Sequence, residues 1–256
     1  MTLKPGAQGW WVGVVLGLML LSSSIVLNVV LYDRARQYYR ELNQTRLDPL
    51  GLNDRPPMSL PQPEEKTLRV VFFGDSRAAA WVPPNLQGYE FINAGISSQT
   101  SSQTLQRLPL QLPPLKPDVV VVQVGINDLK TIALFPNRKA EIIRRCRGNL
   151  YHIVQEIQSL GAVAIVTTIF PSGDITLLRR PLWSPDIDLA VQDLNAYLAT
   201  LAGPKVWVLD AFTLLSDDRG KVLAPYQADE LHLTPAGYAP LNQALGQILQ
   251  SLTGQS

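Results

Sequence analysis

The longest pattern in the chain is an unbroken apolar one. No charge occurs between Lys4 and Asp33, and Trp10 to Tyr32 is almost wholly hydrophobic. At ~1.5 Å per residue such a helix reaches ~34 Å, against a hydrocarbon core of ~30 Å. Trp10, Trp11 and Tyr32 stand at its two ends, where amphipathic rings favour the interface, and Arg34 and Arg36 follow at once. One N-terminal transmembrane anchor, residues 1–33, is therefore expected. The rival is a cleaved signal peptide. The apolar run exceeds the ~7–15 residues of a signal core and no small-x-small cleavage pattern follows at Asn28 to Asp33, which favours the uncleaved helix.

Lys4 is the only basic side chain before the span, whereas Arg34, Arg36, Arg40 and Arg46 follow it. Counted literally, positive charge inside places the C-terminal domain in the cytoplasm, but large domains translocate largely regardless of such charges. The expectation leans to a single-pass protein with an extracytoplasmic domain. Residues 34–66 read as a stalk and linker. Tyr32 to Leu47 is rich in Arg, Gln, Glu and Tyr and can extend the helix into solvent, while Pro56, Pro57, Pro61 and Pro63 interrupt any helix or ladder.

From about Thr67 the pattern changes to short apolar runs alternating with helical spacing. Leu68–Phe73, Glu90–Ile92, Val119–Val124, Val163–Thr168 and Val206–Leu209 read as strands. Arg138–Leu160, stopped by Gly161, and Asp186–Leu201 read as helices, and a last helix starts at Thr234 as N-cap with Pro235 next and runs to about Leu252. Such alternation predicts an α/β domain over residues 67–256. Its expected form is a flavodoxin-like three-layer α/β/α sandwich around a five-stranded parallel sheet.

Composition narrows the chemistry. With 46% hydrophobic residues, 17% charged and a net charge of +1, the chain lacks the basic surface that nucleic acid requires. Cys146 is the only cysteine, so neither an internal disulfide nor a thiolate zinc site can form. No cofactor or metal is expected, and the oligomeric state is not encoded legibly.

In an open parallel sheet, ligands gather beyond the carboxyl ends of the strands. There the sequence is polar or small: Gly74-Asp75-Ser76, Asn93-Ala94-Gly95, Gly125-Ile126-Asn127-Asp128, and Asp229-Glu230-Leu231-His232 before the last helix. A serine hydroxyl becomes a nucleophile when a histidine takes its proton, and a carboxylate can hold that histidine in one tautomer. Of two histidines, His152 lies on a helix whose apolar face is Leu150, Ile153, Val154 and Ile157, a solvated position. His232 lies in a loop able to reach over the sheet edge, with Asp229 three residues earlier.

The ordered set Gly74-Asp75-Ser76, Gly95, Gly125-x-Asn127-Asp128 and Asp229-x-x-His232 resembles the SGNH hydrolase family, the GDSL esterases and lipases, over roughly Thr67 to Leu252. The resemblance implies a serine esterase acting through an acyl-Ser76 intermediate. Ser76, Asp229 and His232 would be catalytic, and the oxyanion would be held by the N–H groups of Ser76 and Gly95 and the amide of Asn127. The N-terminal helix, not the resemblance, makes the membrane the expected partner and suggests a surface substrate: an acyl or acetyl ester of a lipid or cell-surface glycan, or a lipopeptide.

Two residues depart from the usual family pattern. Arg77 replaces the leucine of the commonest nucleophile block, and Ser98 stands where many members have a second glycine. Arg77, Trp81, Lys130, Phe135 and Trp183 flank the clusters and are candidate substrate-pocket residues; packing explains Trp81 and Phe135 equally well. Two other functions fit parts of the pattern. A catalytically silent carbohydrate- or lipid-binding module would keep the crevice without turnover. A metal-dependent phosphoesterase would use Asp75, Asp128, Asp229 and His232, but with one usable histidine its ligand set is thin.

Overall fold

The computed structural model describes residues 5–53 and 55–254; Lys4 and the last two residues of the expected 67–256 domain lie outside the described residues. The chain divides into two compact units, Met1–Pro49 and Leu50–Ser256. The first holds a single helix, α1 (Pro5–Leu47). It is long and apolar enough to cross a membrane, with a mean hydropathy of 2.4 in its most apolar window and its apolar side chains exposed. It continues without a break through Asp33 to Leu47.

The second unit contains five strands: β1 (Leu68–Gly74), β2 (Tyr89–Gly95), β3 (Val119–Gln123), β4 (Val163–Thr167) and β5 (Val206–Leu209). All pair in parallel, in the order β2-β1-β3-β4-β5. Its helices are α2 (Ser76–Ala79), α3 (Ser101–Leu115), α4 (Ile126–Leu129), α5 (Lys139–Ser159), α6 (Pro185–Ala199), α7 (Ala211–Leu215) and α8 (Tyr238–Thr253). This is the expected α/β sandwich. Chain direction across the sheet reverses between β1 and β3, and an open sheet of this order has its crevice there.

Alternation along the strands makes the two outer layers. Val71, Phe73, Val120, Val122, Ala164 and Val166 face α3, α5 and α6. Val70, Phe72, Val119, Val121 and Ile165 face α8, whose Leu241, Leu245 and Leu249 are fully buried. Each such leucine contributes about 2–5 kcal/mol against truncation to alanine. The core thus grips β1 and β3 from both sides, which fixes the backbone at their carboxyl ends.

Three details differ from the sequence reading. β2 is longer than Glu90–Ile92 because an edge strand only partly buried carries a weak apolar signal. α3 was not marked by the pattern at all, since Pro109, Pro113 and Pro114 interrupt it. A capping box between Thr100 and Gln103 starts this helix, and burial of Leu108, Leu112 and Leu115 holds it despite the lost backbone bonds. Thr234 is not a side-chain cap: its hydroxyl donates to the Pro225 carbonyl, and one 3₁₀ turn (Pro235–Gly237) precedes α8.

The Pro-rich stretch before Thr67 packs on the domain instead of spacing it. Leu60 rests against the core and donates its N–H to the Pro114 carbonyl; Pro61 accepts from the buried Arg69 guanidinium, and Arg55 accepts from Gln111. The second unit accordingly begins at Leu50, earlier than the composition suggests.

Candidate active site

The turn after β1 is shaped by glycine. Gly74 has φ +149, and a Cβ there would overlap the Gln123 carbonyl oxygen of β3. The chain therefore leaves the sheet sharply, and Asp75 caps α2 by accepting the Arg77 N–H at 2.9 Å. Ser76 is left half-exposed at the top of the first helical turn. Its Oγ lies 3.0 Å from His232 Nε2.

His232 is aimed by its own loop. Asp229 Oδ1 accepts the N–H groups of Leu231 and His232, both at 2.7 Å, which closes a tight turn; Oδ2 lies 2.8 Å from His232 Nδ1. If Nδ1 carries the proton toward Asp229, Nε2 is the acceptor that faces Ser76. Burial pushes the Asp229 carboxyl upward, but the hydrogen bonds from His232 and Leu231 outweigh it and hold the group below its ordinary range. It therefore stays ionised beside the imidazole at neutral pH. The continuous chain from serine to imidazole to carboxylate has the geometry in which a hydroxyl can pass its proton to an imidazole that a carboxylate orients.

Asn127 sits in the first turn of α4 after β3, only 5% exposed. Its Nδ2 donates to the Gln99 carbonyl at 3.0 Å. One amide hydrogen is used there, and an amide carries two. Gly125 precedes it at φ +130. Asp128, next along, turns away: its carboxylate accepts from both the N–H and hydroxyl of Ser101 at 2.7 Å. Among the described residues no three His, Cys, Asp or Glu side chains converge to hold a metal ion.

Gly95 needs correction. Its N–H donates to Asn93 Oδ1 at 3.0 Å, and a Cβ on it would run into the Ala79 backbone nitrogen. The glycine lets β2 pack closely on α2, while the N–H expected in the oxyanion site is engaged elsewhere. Ser98, three residues on, has φ +65, a conformation that favours glycine. Its place at the family's usual second glycine was the one sequence signal of that backbone.

Two pocket candidates are core residues. Trp81 is 1% exposed, packed against Phe72, Phe170 and Tyr238, with its indole N–H donated to Asn242 at 2.7 Å. Arg77 is wholly buried, and its guanidinium donates to backbone carbonyls, so neither lines a pocket. Lys130 is partly buried; burial, with the nearby Arg179 and Arg77, lowers its pKa against the upward pull of Asp75 and Glu230. Phe135 is half-exposed under the Arg138 guanidinium, and Trp183 packs partly on the core. His152 is exposed on α5 as expected. Burial holds the Cys146 thiol well above its ordinary pKa, which keeps it unreactive.

Sequence reasoning did not single out Gln99 or Arg107. Gln99 supplies the carbonyl that orients Asn127, and Arg107, buried beneath, donates to the side chain of Gln99 at 2.5 Å and to the carbonyls of Ala94 and Gly74 at 2.9 Å. Neither residue type advertises such a role.

Residues 62–239 match the family model of the GDSL-like Lipase/Acylhydrolase family. Over 202 residues the chain is 28% identical to platelet-activating factor acetylhydrolase IB subunit alpha2 of Rattus norvegicus, covering 74% of this chain and 79% of that one. A GDSL-like lipase from Bacteroides thetaiotaomicron is 25% identical with a TM-score of 0.61, over 75% of this chain and 93% of its own. A lipase/acylhydrolase from Enterococcus faecalis shares the fold at 24% identity and a TM-score of 0.52, over 72% and 96%. The family match spans well over half of the sequence, and the protein belongs to the GDSL-like lipase/acylhydrolase family as an SGNH/GDSL-type ester hydrolase.

Proposed function

We propose that the chain hydrolyses a carboxylic ester through an acyl-Ser76 intermediate. The observation that carries this reading is the unbroken chain Ser76 Oγ to His232 Nε2, 3.0 Å, and His232 Nδ1 to Asp229 Oδ2, 2.8 Å. Ser76 Oγ attacks the ester carbonyl carbon as its proton passes to His232 Nε2. The resulting oxyanion is held by the Ser76 N–H and the free hydrogen of the Asn127 amide, two donors that carry no titratable proton. Collapse breaks the carbon–alkoxide bond, and His232 returns the proton to the leaving alcohol. Water then adds to the acyl group by the same route, releasing the acid and restoring Ser76.

An acetyl or other short acyl group is the first substrate to test, because the relatives above include an acetylhydrolase. The length and apolarity of α1 favour a single-pass anchor, and hence a substrate at a surface, a lipid or a cell-surface glycan ester; the catalytic unit is placed outside the cytoplasm as part of the same proposal, with no support from α1 itself. Lys130, Phe135 and Trp183 are left as candidate pocket walls.

The test is turnover of p-nitrophenyl acetate by the full chain in detergent, with and without chelator. Activity that survives chelation and disappears in Ser76→Ala supports the reading; no activity, or activity lost to chelator alone, overturns it. A membrane-impermeant fluorophosphonate should label intact and lysed cells equally. Labelling only after lysis would place the domain on the other side.

A further inference from the structure

The His232 loop is closed by its own hydrogen bonds: Ala228 and Asp229 donate their N–H groups to the His232 carbonyl, and Asp229 Oδ1 accepts from Leu231 and His232. The His232 and Asp229 side chains are 41% and 49% exposed, so a bond of 3.0 Å to Ser76 depends on something other than packing of those two residues. The group that reaches this loop from the nucleophile side is Arg77. Its Nε donates to the carbonyl of Leu231, the residue immediately before His232, at 2.7 Å. Nη1 and Nη2 donate to the carbonyls of Phe170 and Pro171, at 3.1 and 3.4 Å, in the segment that follows β4.

That segment touches the histidine loop as well. Gly173 donates its N–H to the Glu230 carbonyl at 3.0 Å, and a Cβ on Gly173 would collide with the Asp229 carbonyl oxygen. Three stretches of chain thus meet at one guanidinium: the nucleophile turn, the loop after β4 and the histidine loop. Tyr238, at the start of α8, closes the joint by donating its hydroxyl to the Arg77 carbonyl at 3.0 Å.

The arrangement is costly, which argues for a use. Arg77 is fully buried and, among the described residues, no carboxylate lies within ion-pair distance of its guanidinium. A buried cation whose hydrogen bonds all go to carbonyls, with only the nearby Asp75 carboxylate and the Phe170 ring at 5.2 Å to offset its charge, is weak stabilisation, since an apolar side chain of similar volume packs with less desolvation. Its donors are planar and fixed, and they are spent on backbone that carries the catalytic base.

We propose that Arg77 is a positioning residue that holds the Leu231–His232 backbone, and through it the His232 imidazole, in register with Ser76. This rests on the Ser76–His232 reading above for its effect on turnover, but the restraint on the loop is independent of it. Leucine is apolar and smaller than the buried arginine, so Arg77→Leu removes the three donors without adding bulk to the turn.

The experiment compares the full chain with Arg77→Leu and Arg77→Lys by amide hydrogen exchange and by p-nitrophenyl acetate kinetics. In Arg77→Leu, exchange across residues 228–233 should accelerate about tenfold or more while β1 and β3 stay protected. The same variant should lose about tenfold or more in kcat with KM within about twofold, as small misplacement of a base costs turnover and not binding. Arg77→Lys, which can still reach one carbonyl, should recover part of both. Unchanged exchange at 228–233 overturns the proposal, and so does loss of protection throughout the sheet in both variants, which would make Arg77 a packing residue. Should the wild type prove inactive on esters, the exchange result still decides the restraint, and only the catalytic reading falls.

Discussion

His232 and Asp229 are both substantially exposed, on a loop tied down by backbone hydrogen bonds and the Arg77 guanidinium. By contrast Asn127, in the first turn of α4 after β3, is 5% exposed, and its amide is oriented by the Gln99 carbonyl while the Gln99 side chain is gripped by the buried Arg107. Arg107 also lies 3.8 Å over the Phe73 ring, so that side is dry and fixed. The contrast follows the work each side is proposed to do. A group that gains and loses a proton in each half-reaction needs access to water and to a leaving alcohol. A donor that meets a developing oxyanion is worth most where solvent is excluded and nothing must reorganise.

Each half of this comparison can be broken separately. The largest effect is expected on the proton side: Ser76→Ala or His232→Ala should reduce kcat for p-nitrophenyl acetate by about 10⁴-fold or more. Asn127→Ala, which empties the dry side, should cost about 10²- to 10³-fold in kcat with little change in KM. If Asn127→Ala instead raised KM alone, the amide would be a binding contact and the division of labour would fail. Asp229→Ala should be milder than His232→Ala by about 10²-fold, because the exposed imidazole keeps its bond to Ser76 and loses only its orienting anion. Equal losses in the two variants would mean that the loop collapses without its carboxylate.

Next to Ser76 in the chain stands Asp75, fully buried, with Oδ1 on the Arg77 N–H and Oδ2 without a partner among the described residues. Burial raises its pKa from 3.8 to about 6, with Arg77 pulling in the opposite direction. Between those values the folded chain binds the proton more tightly than the unfolded one, so this group's contribution is complete below pH ~4 and is lost as pH rises through about 6. Urea unfolding of Asp75→Asn should therefore show a stability advantage over wild type that grows by about 3 kcal/mol across that window and then levels. A difference independent of pH would contradict the buried carboxylate. Its effect on turnover should be the smallest of the series, since Asn can still accept the Arg77 N–H.

Much of this architecture is readable from residue order. Strands buried on both faces are nearly continuous apolar runs, so β1, β3 and β4 stand out, and the edge strand β5 does so because Val206–Leu209 is wholly apolar; β2, the other edge, shows only its first half before Asn93. α3 is illegible because three prolines mask a helix that tertiary burial sustains. Ser76, Asn127, Asp229 and His232 are legible because their chemistry is rare at strand ends and their order is specific. Arg77 and Trp81 mislead for the opposite reason. An arginine is taken for a surface or pocket residue unless its acceptors are known, and those of Arg77 lie some 90 and 150 residues away, at Phe170 and Leu231. The Gly95 role shifts on a contact no sequence displays, the approach of Ala79 to its backbone.

The central claim is the acyl group on Ser76, and the most direct measurement is to trap it. Full chain mixed with p-nitrophenyl acetate, quenched in acid during turnover and digested, should yield one acetylated peptide, with the acetyl group on Ser76. That adduct should be absent from Ser76→Ala. Steady turnover with no adduct, or with the acetyl group on another residue, would contradict the account.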